Sequence, residues 1–452
     1  MNGDDEGENG FHGEDTLCKC SNNCFKKNKS TTFEVVCHRF MRHIILITGL
    51  FFLLVTGQTQ EMSLDYYLEK GRTNSPYLME LNNQLASNRI DSSLIRARQL
   101  LPSVSLTGNL YYAPVINSWG YSEVITNGGN FISTLNVSQP LFNRKSIRTG
   151  YARVGILDEV ITNSSMLAGE ELRKVITAQY LSAFAIQNDI VFYRKAYVYM
   201  QEEDSLLRRL TDQGYYSQTE YLSFQVEIQS LELDINTLQV EFRKAISALN
   251  ILCGISEKAK VTLLAPDLQL RTVDSGKRSP LFYRYTLDSL IIDNERREID
   301  LKYIPAVSWQ ADAGIVNNVP KDIYKNFGIS LGLNFSLPVY DGKQRLLNYR
   351  KLNFREDSRR VYESYFRNRF DEQLWQLTEE IKSLQEMIPK LNKQLDLAGV
   401  VIRQKKLLLN NGSLSMTDYL ISLRNYLAIS NNLRQNEVKI QQIINEINYW
   451  KQ

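Results

Sequence analysis

Two apolar spacings alternate along the chain and divide it into short strands and very long helices. Period-two alternation, the mark of a strand with one apolar and one polar face, recurs in four segments. In the first, Val104, Leu106, Gly108, Leu110 and Tyr112 oppose Ser105, Thr107, Asn109 and Tyr111. In the second, Phe131, Leu135 and Val137 oppose Thr134, Asn136 and Ser138. The third sets Val307, Trp309, Ala311, Ala313 and Ile315 against Ser308, Gln310, Asp312 and Gly314. The fourth is the clearest: Phe327, Ile329, Leu331, Leu333, Phe335 and Leu337 against Gly328, Ser330, Gly332, Asn334 and Ser336. Strands are therefore predicted at about 103–113, 130–140, 306–316 and 327–338, with polar loops at Pro114–Asn130 and Asn317–Asn326.

The second spacing is a heptad. Leu374, Leu377, Ile381, Leu384, Ile388, Leu391, Leu395, Ala398 and Ile402 step alternately by three and four, as a coiled-coil seam does. Earlier in the chain, Ile176, Ala183, Ile190 and Tyr197 combine with Leu172, Ile186, Tyr193, Met200 and Leu207, and Leu420, Leu423 and Leu427 form a stripe after the second glycine turn. Lys405 and Gln179 interrupt these rows. Pro389 falls inside the best of them and predicts a kink or bulge, because it removes a backbone hydrogen bond.

These elements occur twice in the same order. Each copy runs from a proline that closes a strand, through a long heptad-bearing helix, to a glycine turn and a shorter returning helix. The interval is 74 residues in both, from Pro140 to Gly214 and from Pro338 to Gly412. A helix of that length is about 100 Å long, against an ordinary helix of roughly 11 residues. The duplication extends upstream: Asn74-Ser75-Pro76 and Arg278-Ser279-Pro280 each open a helix, and Pro102 and Pro305 close them after 26 and 25 residues. A short helix at Leu64–Gly71 precedes the first. The organisation is a first repeat over 61–253, an inter-repeat collar at 254–278 with Val261–Leu264 and Pro266, and a second repeat over 279–452.

The first sixty residues differ. From Met41 a basic Arg42, an apolar run Ile44–Val55 and small or polar residues Gly57–Gln60 read as a secretory signal peptide at 41–60. The run is short of the roughly 20 apolar residues of a membrane-spanning helix. No cysteine lies at the cleavage position, so no lipoprotein signal is read. Residues 1–40 hold Cys18, Cys20, Cys24, Cys37, His12 and His38, but Cys-x-Cys-x3-Cys is not a usual zinc spacing. With Met41 as the start, they are a non-native or removed extension.

Composition excludes more than it identifies. A net charge of +3 with 23% charged residues lacks the imbalance of a nucleic-acid binder. Beyond the signal there is one cysteine, Cys253, expected as a buried hydrophobe, and no histidine. No set of nucleophile, base and orienting group, no metal cluster and no phosphate loop is legible, so neither an enzyme nor a cofactor is expected.

Strands of about ten residues with one apolar face have the span of tilted transmembrane β-strands. Tyr111, Tyr112, Trp309, Tyr324 and Phe327 are candidates for an interfacial aromatic girdle. Four strands cannot close a barrel, and an open edge in lipid leaves backbone groups unpaired at several kcal/mol each. Two copies would make a barrel filled by its own side chains, whereas three give 12 strands and a lumen. The expected class is an α+β membrane protein: a trimeric 12-stranded barrel continued by a long helical coiled-coil tunnel.

Signal, tandem repeat, two strands per repeat and a long-then-short helix pair with a glycine turn together resemble the TolC family of outer-membrane efflux proteins. The resemblance covers about Glu61 to Trp450. It implies a homotrimer in the cell outer membrane with its helices in the periplasm, docked on a periplasmic adaptor and an inner-membrane pump or exporter. The implied function is the passive exit duct of a tripartite efflux or type I secretion system. The family's periplasmic tip has a glycine followed six residues later by an acid, matched by Gly214 to Glu220 and Gly412 to Asp418. By resemblance, Asp418 rings the pore entrance and Glu220 helps latch it, while Gly214, Gly412, Leu414 and Ser415 belong to the tip turns that dock the adaptor. Either acid would also stabilise the start of its helix through the macrodipole. The chain departs from the best-known member at Ile421, Leu409 and Leu414, which replace an aspartate, a tyrosine and an arginine; the same ionic latch cannot form, and apolar contacts are expected to hold any closed state. The competing reading is a surface structural or adhesive coiled-coil protein, which explains the heptads but not the four lipid-compatible strands.

Overall fold

The computed structural model describes residues 60–113, 116–120, 129–256, 261–271, 279–317 and 325–452. The signal segment, the Cys/His-bearing extension and Tyr324 lie outside these. Strand β1 (Gln60–Met62) leads into helices α1 (Leu64–Asn74) and α2 (Pro76–Leu100). Strands β2 (Ser103–Tyr112) and β3 (Gly129–Leu141) follow, then α3 (Arg144–Asp212) and α4 (Gln218–Cys253). After β4 (Val261–Leu263) come α5 (Pro280–Leu301), β5 (Ala306–Asn317), β6 (Phe327–Ser336), α6 (Gln344–Asn410) and α7 (Met416–Trp450).

Local chemistry accounts for the boundaries. Ser63 and Ser75 cap α1 and α2 through their hydroxyls, and Pro76 and Pro280 occupy first-turn positions where a missing N–H costs nothing. The two long helices have 69 and 67 residues, each about 100 Å at 1.5 Å per residue. Pro389 lies within α6 without ending it, and the helix continues on both sides.

The larger sheet has the order β2-β3-β5-β6, antiparallel throughout. Its register brings like residues together across all four strands. Leu106, Leu135, Ala313 and Ile329 form one apolar row, and Ser105, Asn136, Asp312 and Ser330 form the adjoining polar row. Polar neighbours bond to each other: Asn136 Nδ2 donates to Thr107 Oγ1 at 2.6 Å, Asn334 Nδ2 to Gln310 Oε1 at 2.8 Å, and the Ser330 hydroxyl to the Asp312 carboxylate. The apolar face is bare, with Leu110 82% and Leu331 80% exposed. Strands β2 and β6 each have one unpaired edge within the chain.

Strand and helix are joined by side chains. Gln139 Nε2 donates to the Leu100 carbonyl at 2.8 Å, and Asn143 Nδ2 to Gln99 Oε1 at 3.0 Å, fixing α2's end beside α3's start. On the other side Arg345 bonds Asp300 at 2.5 Å, Tyr349 donates to the same carboxylate at 2.6 Å, and Tyr303 donates to Asp341.

Helix α3 packs along α4, and α6 along α7. The heptad residues of α6 are buried or half-buried from Leu374 to Ile402. Three buried clusters succeed one another. One joins Leu281, Leu377, Ile381, Ile443 and Trp450. A second gathers Tyr67, Ile176, Tyr180, Leu249 and Cys253 under a two-stranded parallel sheet of β1 and β4. The pattern alone did not reveal this sheet, whose strands have three residues each. Tyr180 pins it by donating to the Met62 and Leu264 carbonyls at 2.9 and 2.7 Å, and Gln187 bonds the Leu263 N–H and carbonyl. Cys253 is fully buried, and burial pushes its thiol up to about 11, so it is packing rather than a nucleophile. The third cluster lies beneath the glycine turns.

Candidate functional site

The turns at Gly214 and Gly412 are made by glycines in the left-handed region, with φ of +81° and +69°. Each is followed by a serine whose hydroxyl caps the returning helix. Ser217 accepts from the Glu220 N–H at 3.2 Å while Glu220 Oε2 accepts from the Ser217 N–H at 3.1 Å, a reciprocal capping box. Ser415 accepts from the Asp418 N–H at 3.1 Å and donates to Asp418 Oδ2 at 3.1 Å. Both sequence-predicted acids thus sit three residues after the cap, where a carboxylate also complements the helix dipole.

The two turns meet. A side-chain carbon on Gly412 would lie 2.8 Å from Tyr215 Cδ1, so the first turn's tyrosine closes over the second turn. Tyr216 is buried and donates to the Leu409 carbonyl; burial raises its hydroxyl pKa, with Glu220 adding to the effect. Leu409 is fully buried with Met416, Tyr419, Leu420 and Leu423 from the second hairpin and Met200, Leu207, Phe224 and Ile228 from the first. Leu414 packs half-buried on the same cluster, and Asp418 and Ile421 are exposed. Lys405 Nζ donates to the Asp418 backbone carbonyl at 3.1 Å, which places a positive charge at the first turn of α7.

Apolar contacts are not the whole of what joins the hairpins. Glu203 on α3, 5% exposed, pairs with Lys406 on α6, whose ammonium also lies 4.6 Å from the Tyr199 ring centre. The hydrogen bond that the Lys406 ammonium donates to the Glu203 carboxylate raises the Lys406 pKa. Glu227 on α4 takes both nitrogen positions of the Arg424 fork on α7, one at 3.0 Å. Asp189 on α3 meets Arg434 on α7 at 3.0 Å, with that guanidinium 3.9 Å over the Phe192 ring. The heptad reading passed over these groups. Glu203 stands between Met200 and Leu207 on a buried stripe, and an acid in that place is the signal that could have found it.

An antiparallel sheet with one bare apolar face, carried on two helices about 100 Å long that each turn back into a shorter capped helix, is the fold of the TolC-family outer-membrane channels. The outer-membrane channel OprN superposes with a TM-score of 0.68 at 15% identity, over 86% of this chain and 89% of that one. CusC, described for conformational changes accompanying folding and transmembrane channel formation, gives 0.69 at 14% identity over 86% and 91%. The outer membrane protein VceC from Vibrio cholerae gives 0.67 at 15% identity over 86% and 96%. No protein-family model matches the sequence, and no curated protein does.

Proposed function

We propose that three copies of this chain form an outer-membrane exit duct, which passively conducts substrates delivered by a periplasmic adaptor and an inner-membrane pump or exporter. The observation that carries the reading is the sheet. Its bare apolar face suits lipid, its polar face suits a water-filled lumen, and its two edge strands demand partners there. Because β2 and β6 run antiparallel to each other, β6 of one copy can pair with β2 of the next while the all-antiparallel order is kept. Three copies then close a ring of 12 strands. Among the described residues of the four-stranded sheet Asp312 is the one charged side chain, so the proposed lumen wall is otherwise neutral and hydrogen-bonding.

The helices continue this ring as a periplasmic tunnel, and the paired turns form its entrance. Asp418 and Glu220 line the constriction, and Gly214, Gly412, Leu414 and Ser415 present the tip to the adaptor. The rival reading, a surface coiled-coil protein without transport activity, gives no role to the bare sheet face. Conduction decides between them. Purified protein in a planar lipid bilayer is expected to give discrete channel steps; a protein that binds the bilayer and never conducts belongs to the rival class.

A further inference from the structure

The sheet ends in a collar with an unbalanced charge. Two residues separate the end of helix α2 from β2, and two separate β3 from the start of α3. Besides the bonds from Gln139 and Asn143 already described, Gly150 of α3 lies so close to Ile95 of α2 that an added methyl would sit 3.1 Å from Ile95 Cδ1. The last turns of α2 and the first turns of α3 are therefore one surface. It carries Arg96, Arg98, Arg144, Lys145 and Arg148, all exposed and in no ion pair among the described residues. No Asp or Glu occurs over 92–100 or 141–157. Other bases on the helices are paired, as with Arg359, Arg367, Lys406, Arg424 and Arg434, and others such as Arg194 and Lys195 are not; what sets this surface apart is five bases together on two stretches without an acid. The helix dipole favours Arg98 in the last turn of α2, but it disfavours Arg144 and Lys145, which stand in the first turn of α3, so helix stability does not call for that part of the cluster.

Apolar side chains share the level. Phe142, between β3 and α3, is 85% exposed, and Leu100 and Leu101 are exposed at the end of α2. A bare aromatic and two leucines below a lipid-compatible sheet, next to five unmatched bases, have the composition of a membrane interface: apolar groups enter the acyl region and cations meet phosphates.

We propose that the junction of α2 and α3 is a docking surface for anionic phospholipid headgroups of the periplasm-facing leaflet. The proposal rests on the sheet being the membrane-embedded part, since continuity with its apolar face is what places the bases at headgroup height. The bound lipid would neutralise a cluster that otherwise repels itself. It would also fix the depth at which strand passes into helix.

Full-length protein is extracted from mixed vesicles of phosphatidylglycerol and phosphatidylcholine, and lipid retained per chain is measured by native mass spectrometry after detergent exchange. Each base near an anionic surface is worth about fivefold in binding. The wild type is expected to retain phosphatidylglycerol over phosphatidylcholine by at least tenfold, and to lose the preference in high salt. The five-fold variant R96Q/R98Q/R144Q/K145Q/R148Q is expected to retain the two lipids equally while still inserting and conducting. An unchanged preference in that variant overturns the proposal, as does retention of inorganic phosphate without lipid. Failure of the wild type to insert into vesicles at all overturns the membrane reading of the sheet itself, a result distinct from either.

Discussion

Removing the Lys406 ammonium while leaving Glu203 in place tests the most buried charge of the tip. The Glu203 side chain is 7% exposed and Lys406 31%, so the pair is dry on one side and half-wet on the other. Stripping the partner from a fully buried charge costs about 3–5 kcal/mol. Water entering where Lys406 stood reduces this, and about 2 kcal/mol is expected for Lys406→Ala. Glu203→Gln keeps the shape and frees Lys406 to reach solvent, so about 1 kcal/mol is expected. The double variant leaves no buried charge and is expected to be no worse than Glu203→Gln, so the two changes are strongly non-additive. Hydrogen exchange read on peptides resolves the effect along the helix. A cost of about 2 kcal/mol corresponds to a roughly 30-fold loss of protection, confined to residues around 199–207 and 402–420. Because the Lys406 pKa is raised above its ordinary 10.5, the contribution is fully present below that pH and is lost only as pH rises through the higher folded value. Equal effects of the two single changes with additive behaviour, or a uniform loss along all of α3, would refute the reasoning.

The turns give a paired contrast: Gly214→Ala has open space and is expected to cost about 1 kcal/mol from backbone strain alone, whereas Gly412→Ala also collides with Tyr215 and is expected to cost more, with Tyr215→Ala relieving the excess in thermal melts. In conductance, Asp418→Ala is expected to weaken cation preference and divalent-ion block, and Lys405→Gln to strengthen cation preference by removing the opposing charge; unchanged ion selectivity in Asp418→Ala would remove Asp418 from the entrance. On α6, hydrogen bonds from Arg359 to Glu356 and from Arg367 to Glu363 hold both carboxyls below their ordinary 4.5. Their stabilisation is therefore present above 4.5 and lost as pH falls through the lower folded values, so the melting gap between wild type and Arg359→Gln is expected to shrink below pH 4.5, and a pH-independent gap would contradict it.

Long-period signals were legible because they are redundant. Strand alternation persists over ten residues and the α6 seam over four heptads, so single exceptions such as Gly108 or Lys405 do not erase them. The turns were legible for a different reason: a glycine with an acid six residues on recurs in both repeats and matches the family's tip, and the structure adds the serine midway that caps each returning helix. What stayed hidden depends on tertiary pairing. Strands β1 and β4 are three residues each and exist because Tyr180 and Gln187 of α3 complete their hydrogen bonds, which no local spacing records. The Glu203, Glu227 and Asp189 pairs join residues about 200 apart or more, and an isolated acid on a helix reads as solvated until its partner is placed. Pro389 shows the opposite limit, since a residue that ends an isolated helix is carried inside one held by packing along its length.

The central claim is that this sheet is completed by other copies of the same chain in a membrane. Outer membranes from cells expressing the protein, extracted in mild detergent and weighed after correction for bound detergent, test it directly. A particle of three chains in the outer-membrane fraction is the predicted result. A water-soluble single chain would contradict it, because the bare apolar face and the two open edges of the sheet would then need another explanation.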